Sequence, residues 1–154
     1  MVDVFKYPHD LAPLLEWADM HSGDLVADEP PEPFATWVKG VLPDWCTSFK
    51  FAVGRVYVGS QLDGDWVDKY PHMHVDSMGW PANTATAILY LVSPEEGGES
   101  AIGGENKSDP YTLTKLTPGL TVLIGAKTWH GIKPVKAGTR IALLTTGWEL
   151  EFVT

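Results

Sequence analysis

One cysteine in 154 residues leaves no partner for an internal disulfide and rules out a cysteine-rich zinc site. Any metal held by this chain needs histidine and carboxylate ligands. Basic residues are scarce too. Eleven Lys and Arg against 20 Asp and Glu give a net charge of −9, and the eleven are scattered. No basic patch meets nucleic-acid phosphates or an anionic membrane surface, so neither is expected as a partner. No apolar run is long enough to span a bilayer. The opening residues, MVDVFKYPHD, lack the basic stretch and apolar core of a signal peptide, and a cytoplasmic location is the default expectation.

What is present suits an ordinary globular chain, with 44% apolar and 20% charged residues. The length fits one domain over 1–154 with a core of its own. Seven tryptophans are many for this length; core packing accounts for most, and one or two could line a pocket. Residues 1–47 read as helical support. Leu11, Leu14, Leu15 and Ala18 recur at helical spacing, with Asp10 as cap and Gly23 as stop, and Phe34, Trp37, Val38 and Val41 share a second helical face. From Ser48 on the pattern changes. FKFAVGRVYV, TATAILYLV, YTLTKL, LTVLIG and TRIALLTTGW are short, rich in β-branched and aromatic residues, and punctuated by Gly, Pro, Asn and Asp. Residues 48–154 are therefore expected to form an all-β sandwich or barrel, with the N-terminal helices packed on its outside.

Two of the five histidines stand in YPHMHVDSMGW, at Tyr70 to Trp80. On an extended strand His72, His74 and Asp76 project from one face. They either face water or share a ligand, since three polar groups are costly to bury unpartnered. Downstream, His130 follows a strand and Arg140 opens the next. Two imidazoles and one carboxylate on one side of a metal make the facial triad of non-haem iron(II) oxygenases, which leaves positions open for a 2-oxo acid and dioxygen. The guanidinium fork of Arg140 matches the far carboxylate of such an acid.

These residues resemble the 2-oxoglutarate- and iron(II)-dependent dioxygenases, nearest to their prolyl 4-hydroxylase-like branch. The match runs through GRVYVGSQ, HVD, TATAILYLVSPEEGGES and WHGIKPVKAGTRIALLTTGW, from about Val53 to Trp148. The resemblance implies a double-stranded β-helix, a jelly roll of the cupin-like kind. It implies iron(II) held by His74, Asp76 and His130, with His72 beside the ligands rather than among them. It implies that Arg140 pairs with the distal carboxylate of 2-oxoglutarate, assisted by Tyr90, sixteen residues after His74, and by Tyr57. His9 and His21 then read as solvated bystanders.

The activity so implied is hydroxylation of an unactivated C–H, with 2-oxoglutarate and dioxygen as cosubstrates, succinate and carbon dioxide as products, and ascorbate as an accessory. The substrate implied is a peptidyl residue such as proline, or else a free amino acid or small metabolite. The branch that repairs alkylated nucleobases carries a second arginine six residues after the first; here that position is Thr146. The segment between Tyr57 and His74 is longer than the family pattern, so Gly59 to Pro71 reads as a lid or substrate loop. Two other readings compete. A cupin-like metal protein without 2-oxo acid chemistry would use His72, His74 and His130 and leave Arg140 incidental, but it wants a glutamate shortly after His74 and none is there. A non-enzymatic β-sandwich would make the cluster a coincidence.

Overall fold

The computed structural model describes residues 2–21, 28–58, 84–115 and 117–149. Along the chain run β1 (Val2–Lys6), α1 (Ala12–Asp19), α2 (Phe34–Val41), β2 (Ser48–Tyr57), β3 (Thr84–Val92), β4 (Glu96–Gly97), β5 (Ser100–Ile102), β6 (Thr112–Thr114), β7 (Leu120–Gly125), β8 (His130–Ile132), β9 (Val135–Ala137) and β10 (Thr139–Trp148). A five-stranded antiparallel sheet has the order β1-β7-β3-β10-β2, a three-stranded one the order β6-β5-β8, and β4 and β9 form a separate ribbon. The chain passes back and forth between the larger and the smaller sheet: β3, then β5 and β6, then β7, then β8, then β10. That winding is the double-stranded β-helix expected from the sequence.

Period-two alternation divides the large sheet into two faces. Ala85, Ala87, Leu89 and Leu91 of β3, Leu123 of β7 and Leu143 of β10 join the core beneath the helices, where α1 sets Leu14, Trp17 and Ala18 and α2 sets Phe34 and Val38. Tyr90, Val122 and Ile124, with Ile88 and Ile102 packed on them, form a second cluster on the opposite face, toward the small sheet. The ladders keep the faces in step, with Leu143 opposite both Leu89 and Val53.

The helices lie outside the barrel as anticipated. The N-cap position of α1 is held by Leu11, whose side chain makes no capping bond; Asp10, expected as the cap, stands one residue earlier and accepts from the Ala12 N–H at 3.0 Å. A cap is worth about 0.5–2 kcal/mol, and burying each large apolar side chain about 1.5–3 kcal/mol. Packing on the sheet therefore holds α1 more than capping does. The helix ends at Asp19, and the expected stop, Gly23, lies outside the described residues.

Residues 1–47 are not purely helical. β1 pairs with β7 from Val2↔Ile124 to Lys6↔Leu120 and forms an edge of the large sheet. Val2 and Val4 remain 44% and 56% exposed, so β1 is placed by its backbone ladder and by Phe5, which packs on the core. No helix among the described residues is long and apolar enough to cross a membrane.

Candidate active site

Between the two sheets lies a cavity of about 170 Å3. Its walls are largely apolar: Val56 from β2, Ile88 from β3, Ile124 from β7, Leu144 from β10, and Ile102 and Ile132 from the small sheet. Among the described residues, Tyr90, Ser100, His130 and Arg140 bring polar side chains to it, while Arg55, also in the lining, sends its guanidinium to α1. A small apolar cavity with a few fixed polar groups is the usual form of a ligand site.

Ser100 and His130 come from paired strands. Ser100 stands opposite Ile132, and Ile102 opposite His130, so the two polar residues sit at different ends of one two-strand wall. Arg140 lies near the start of β10, opposite Val56, next to a register shift between Ile141 and Ala142 on the β3 side. Irregularities of this kind re-aim a side chain beside a site.

Arg140 is only 4% exposed, and a buried guanidinium needs compensation. Its Cζ lies 4.9 Å from the centre of the Tyr90 ring, and its Nη2 donates to Ser100 Oγ at 3.4 Å. The Tyr90 hydroxyl hydrogen-bonds the same Ser100 oxygen. Among the described residues no carboxylate forms an ion pair with Arg140, and its buried Nε has no hydrogen-bond partner. A cationic fork with an open donor, facing a cavity, fits an incoming carboxylate. Ser100 was missed by sequence reasoning. Its only signal is its place after the Gly-Gly turn, and its role depends on a cross-sheet contact.

At the other end, His130 is half-buried, and its Nδ1 lies 2.9 Å from the Thr128 carbonyl oxygen. A carbonyl only accepts, so Nδ1 carries the proton and, in the neutral ring, Nε2 carries the lone pair. Fixing the tautomer through the other ring nitrogen is how proteins prepare a histidine for a metal. The expected co-ligands His74 and Asp76, their neighbour His72 and the Gly59 to Pro71 loop all lie outside the described residues. Among the described residues no three His, Cys, Asp or Glu side chains come together.

The structure thus brings Tyr90, His130 and Arg140 to one cavity and leaves Tyr57 out of it. Val56 faces the cavity opposite Arg140, so Tyr57, next along a pleated strand, points to the other face and is 51% exposed. His21 is no bystander. Its Nδ1 bonds the Trp17 carbonyl at 2.7 Å, and its ring centre lies 4.4 Å from that of Trp17. His9 is exposed. No tryptophan among the described residues lines the cavity. Burial pushes the Cys46 thiol up to about 11, so it stays protonated at neutral pH and is no nucleophile.

No family model matches the chain, and no curated protein matches it. Solved structures do. A prolyl-4-hydroxylase from Pseudomonas putida superposes with a TM-score of 0.68 at 14% identity, covering 96% of this chain and 84% of that one. A truncated viral collagen prolyl hydroxylase from Paramecium bursaria Chlorella virus-1 gives 0.60 at 16% identity, covering 97% and 90%. An oxidoreductase of the 2OG-Fe(II) oxygenase family from Burkholderia pseudomallei gives 0.53 at 14% identity, covering 96% and 67%. At these identities the likeness establishes the fold.

Proposed function

We propose that this chain is an iron(II)- and 2-oxoglutarate-dependent dioxygenase that hydroxylates an unactivated C–H. The observation that carries the reading is Arg140, buried beside a largely apolar cavity with its Nε unpartnered among the described residues. Residues His74, Asp76 and His130 would hold the metal. Arg140 would receive the distal carboxylate of 2-oxoglutarate, with Tyr90 and Ser100 beside it. When bound, the metal and the 2-oxo acid supply the oxidation by dioxygen, with succinate and carbon dioxide as co-products.

The remaining contributions belong to the protein. Arg140 fixes one end of the cosubstrate by two parallel N–H···O bonds, which set direction as well as affinity. The Tyr90 ring face supports the guanidinium from one side. The Thr128 carbonyl keeps the His130 proton on Nδ1, so that Nε2 is presented as a neutral donor. The isoleucines and Leu144 give the cavity a mostly apolar lining, and a low-polarity surround strengthens polar contacts made inside it.

The names of the structural neighbours, two prolyl hydroxylases and one 2OG-Fe(II) oxygenase, support this reading. They favour a peptidyl residue such as proline as substrate, ahead of a free amino acid or small metabolite. The cupin-like alternative has no use for a buried arginine aimed into the cavity. The test is Arg140→Met. Losing hydrogen bonds to a charged group of about 1.5–3 kcal/mol should raise the Kd for 2-oxoglutarate about ten- to a hundredfold, with metal content unchanged. Succinate release under iron(II) and oxygen, screened with peptide and amino-acid candidates, reports the chemistry. Wild-type 2-oxoglutarate affinity in Arg140→Met would sink the assignment.

A further inference from the structure

Arg140 is useful as an anchor only if its long side chain is already in place when a carboxylate arrives. Among the described residues it has no ion pair to hold it. The β4–β9 ribbon supplies packing instead. Its corner turns on glycines in left-handed conformations, with φ of 80° at Gly97, 72° at Gly98 and 83° at Gly138. The Gly98 N–H donates to the Pro134 carbonyl at 3.1 Å, and the Lys133 N–H to that of Glu99 at 2.9 Å, which ties the two strands together at the corner.

A Cβ at Gly98 would stand 2.7 Å from Pro94 Cγ, 3.2 Å from Val135 Cγ2 and 3.6 Å from Arg140 Cδ. Pro94, the buried Val135 and the aliphatic stem of Arg140 therefore surround the space that a side chain at this position would fill. The stem lies against this corner, while the guanidinium lies over the Tyr90 ring and against Ser100.

We infer that the β4–β9 ribbon is a positioning device for Arg140, in which Gly98 and Val135 clamp the arginine stem so that its fork is fixed before ligand binds. The inference rests on the reading of Arg140 as carboxylate anchor. Ordering a rotamer-rich side chain at the moment of binding lowers affinity, and a clamped one has no such ordering left to do. The effect is confined to ligands that use the fork.

Gly98→Ala drives a methyl into the corner, but its positive φ makes folding uncertain. Val135→Ala thins the same corner without backbone strain. Protein loaded with manganese(II) in place of iron is titrated calorimetrically with 2-oxoglutarate and with 2-oxobutyrate, which keeps the chelating end and lacks the distal carboxylate. Val135→Ala should weaken 2-oxoglutarate roughly three- to tenfold and 2-oxobutyrate less than twofold. Added to Arg140→Met, it should weaken 2-oxoglutarate no further, because the two residues act through one contact. Equal losses for both acids, or a full additional loss on top of Arg140→Met, would mean that Val135 is only a core residue and overturn the inference. Should Arg140→Met itself bind 2-oxoglutarate normally, the functional reading falls first and takes the clamp with it.

Discussion

Thr121 and Thr145 are fully buried on the helix-facing side of the large sheet, and neither hydroxyl has a hydrogen-bond partner among the described residues. Thr145 stands between Phe51 on β2 and Ala87 on β3, an apolar setting with nothing to gain from a hydroxyl. An unsatisfied buried hydroxyl costs about 1–3 kcal/mol, and valine has nearly the same shape. Thr145→Val should raise the urea midpoint, equivalent to about 1 kcal/mol, with an unchanged denaturant slope; a lower midpoint would show that the hydroxyl is needed. The Arg140 Nε is an orphan in another setting, because it belongs to a guanidinium whose residue lines a cavity. That contrast separates an orphan beside a cavity from one in the packed core, and only one of the two kinds could be read in advance. The sequence pattern singled out Arg140 and His130 through their spacing across two strands. Ser100 stayed hidden because its contacts cross from β5 to β3 and β10. Tyr57 was misplaced because one residue of register reverses the face of a strand.

At the level of elements, α1 is tied to the barrel by more than its apolar face. Arg55 on β2 donates from Nη1 to the His21 carbonyl at 2.8 Å and from Nη2 to the Ala18 carbonyl. A cation at a helix C-terminus meets both the open carbonyls and the helix dipole. Arg55→Met keeps the stem and removes the donors. It should cost about 1–3 kcal/mol and speed hydrogen exchange in α1 while leaving β3 protected; equal acceleration in both would indicate global loosening instead. The helices and the long strands were legible because their patterns run eight to ten residues. β1 was not, since its valines stay exposed and only its ladder to β7 defines it. β4 and β9, at two and three residues, are too short for any periodicity to show.

For the molecule as a whole, net charge of −9 sets the sign of its encounters. Among the described residues, the groove over the β4–β9 ribbon sets Lys133 and Lys136 beside Glu96 and Glu99, so its charges are of both signs. A fluorescent DNA duplex titrated at about 150 mM salt should show no binding tighter than roughly 10⁻⁴ M, the weak end of non-specific affinities; micromolar, salt-dependent binding would contradict this. The sheet order carries a separate consequence. β10 lies between β2 and β3 and bonds both along nearly its whole length, yet it is the last of the five strands to be synthesised. Until Thr139–Trp148 has left the ribosome, β2 has no neighbour in the large sheet among the described residues, and β3 has only β7. Both then carry open edges and uncovered apolar faces on a growing chain. Nascent chains of this protein should therefore be at their most chaperone-dependent just before synthesis of the strand that also delivers Arg140, so that completion of the fold and arrival of the cavity's buried cation are one event.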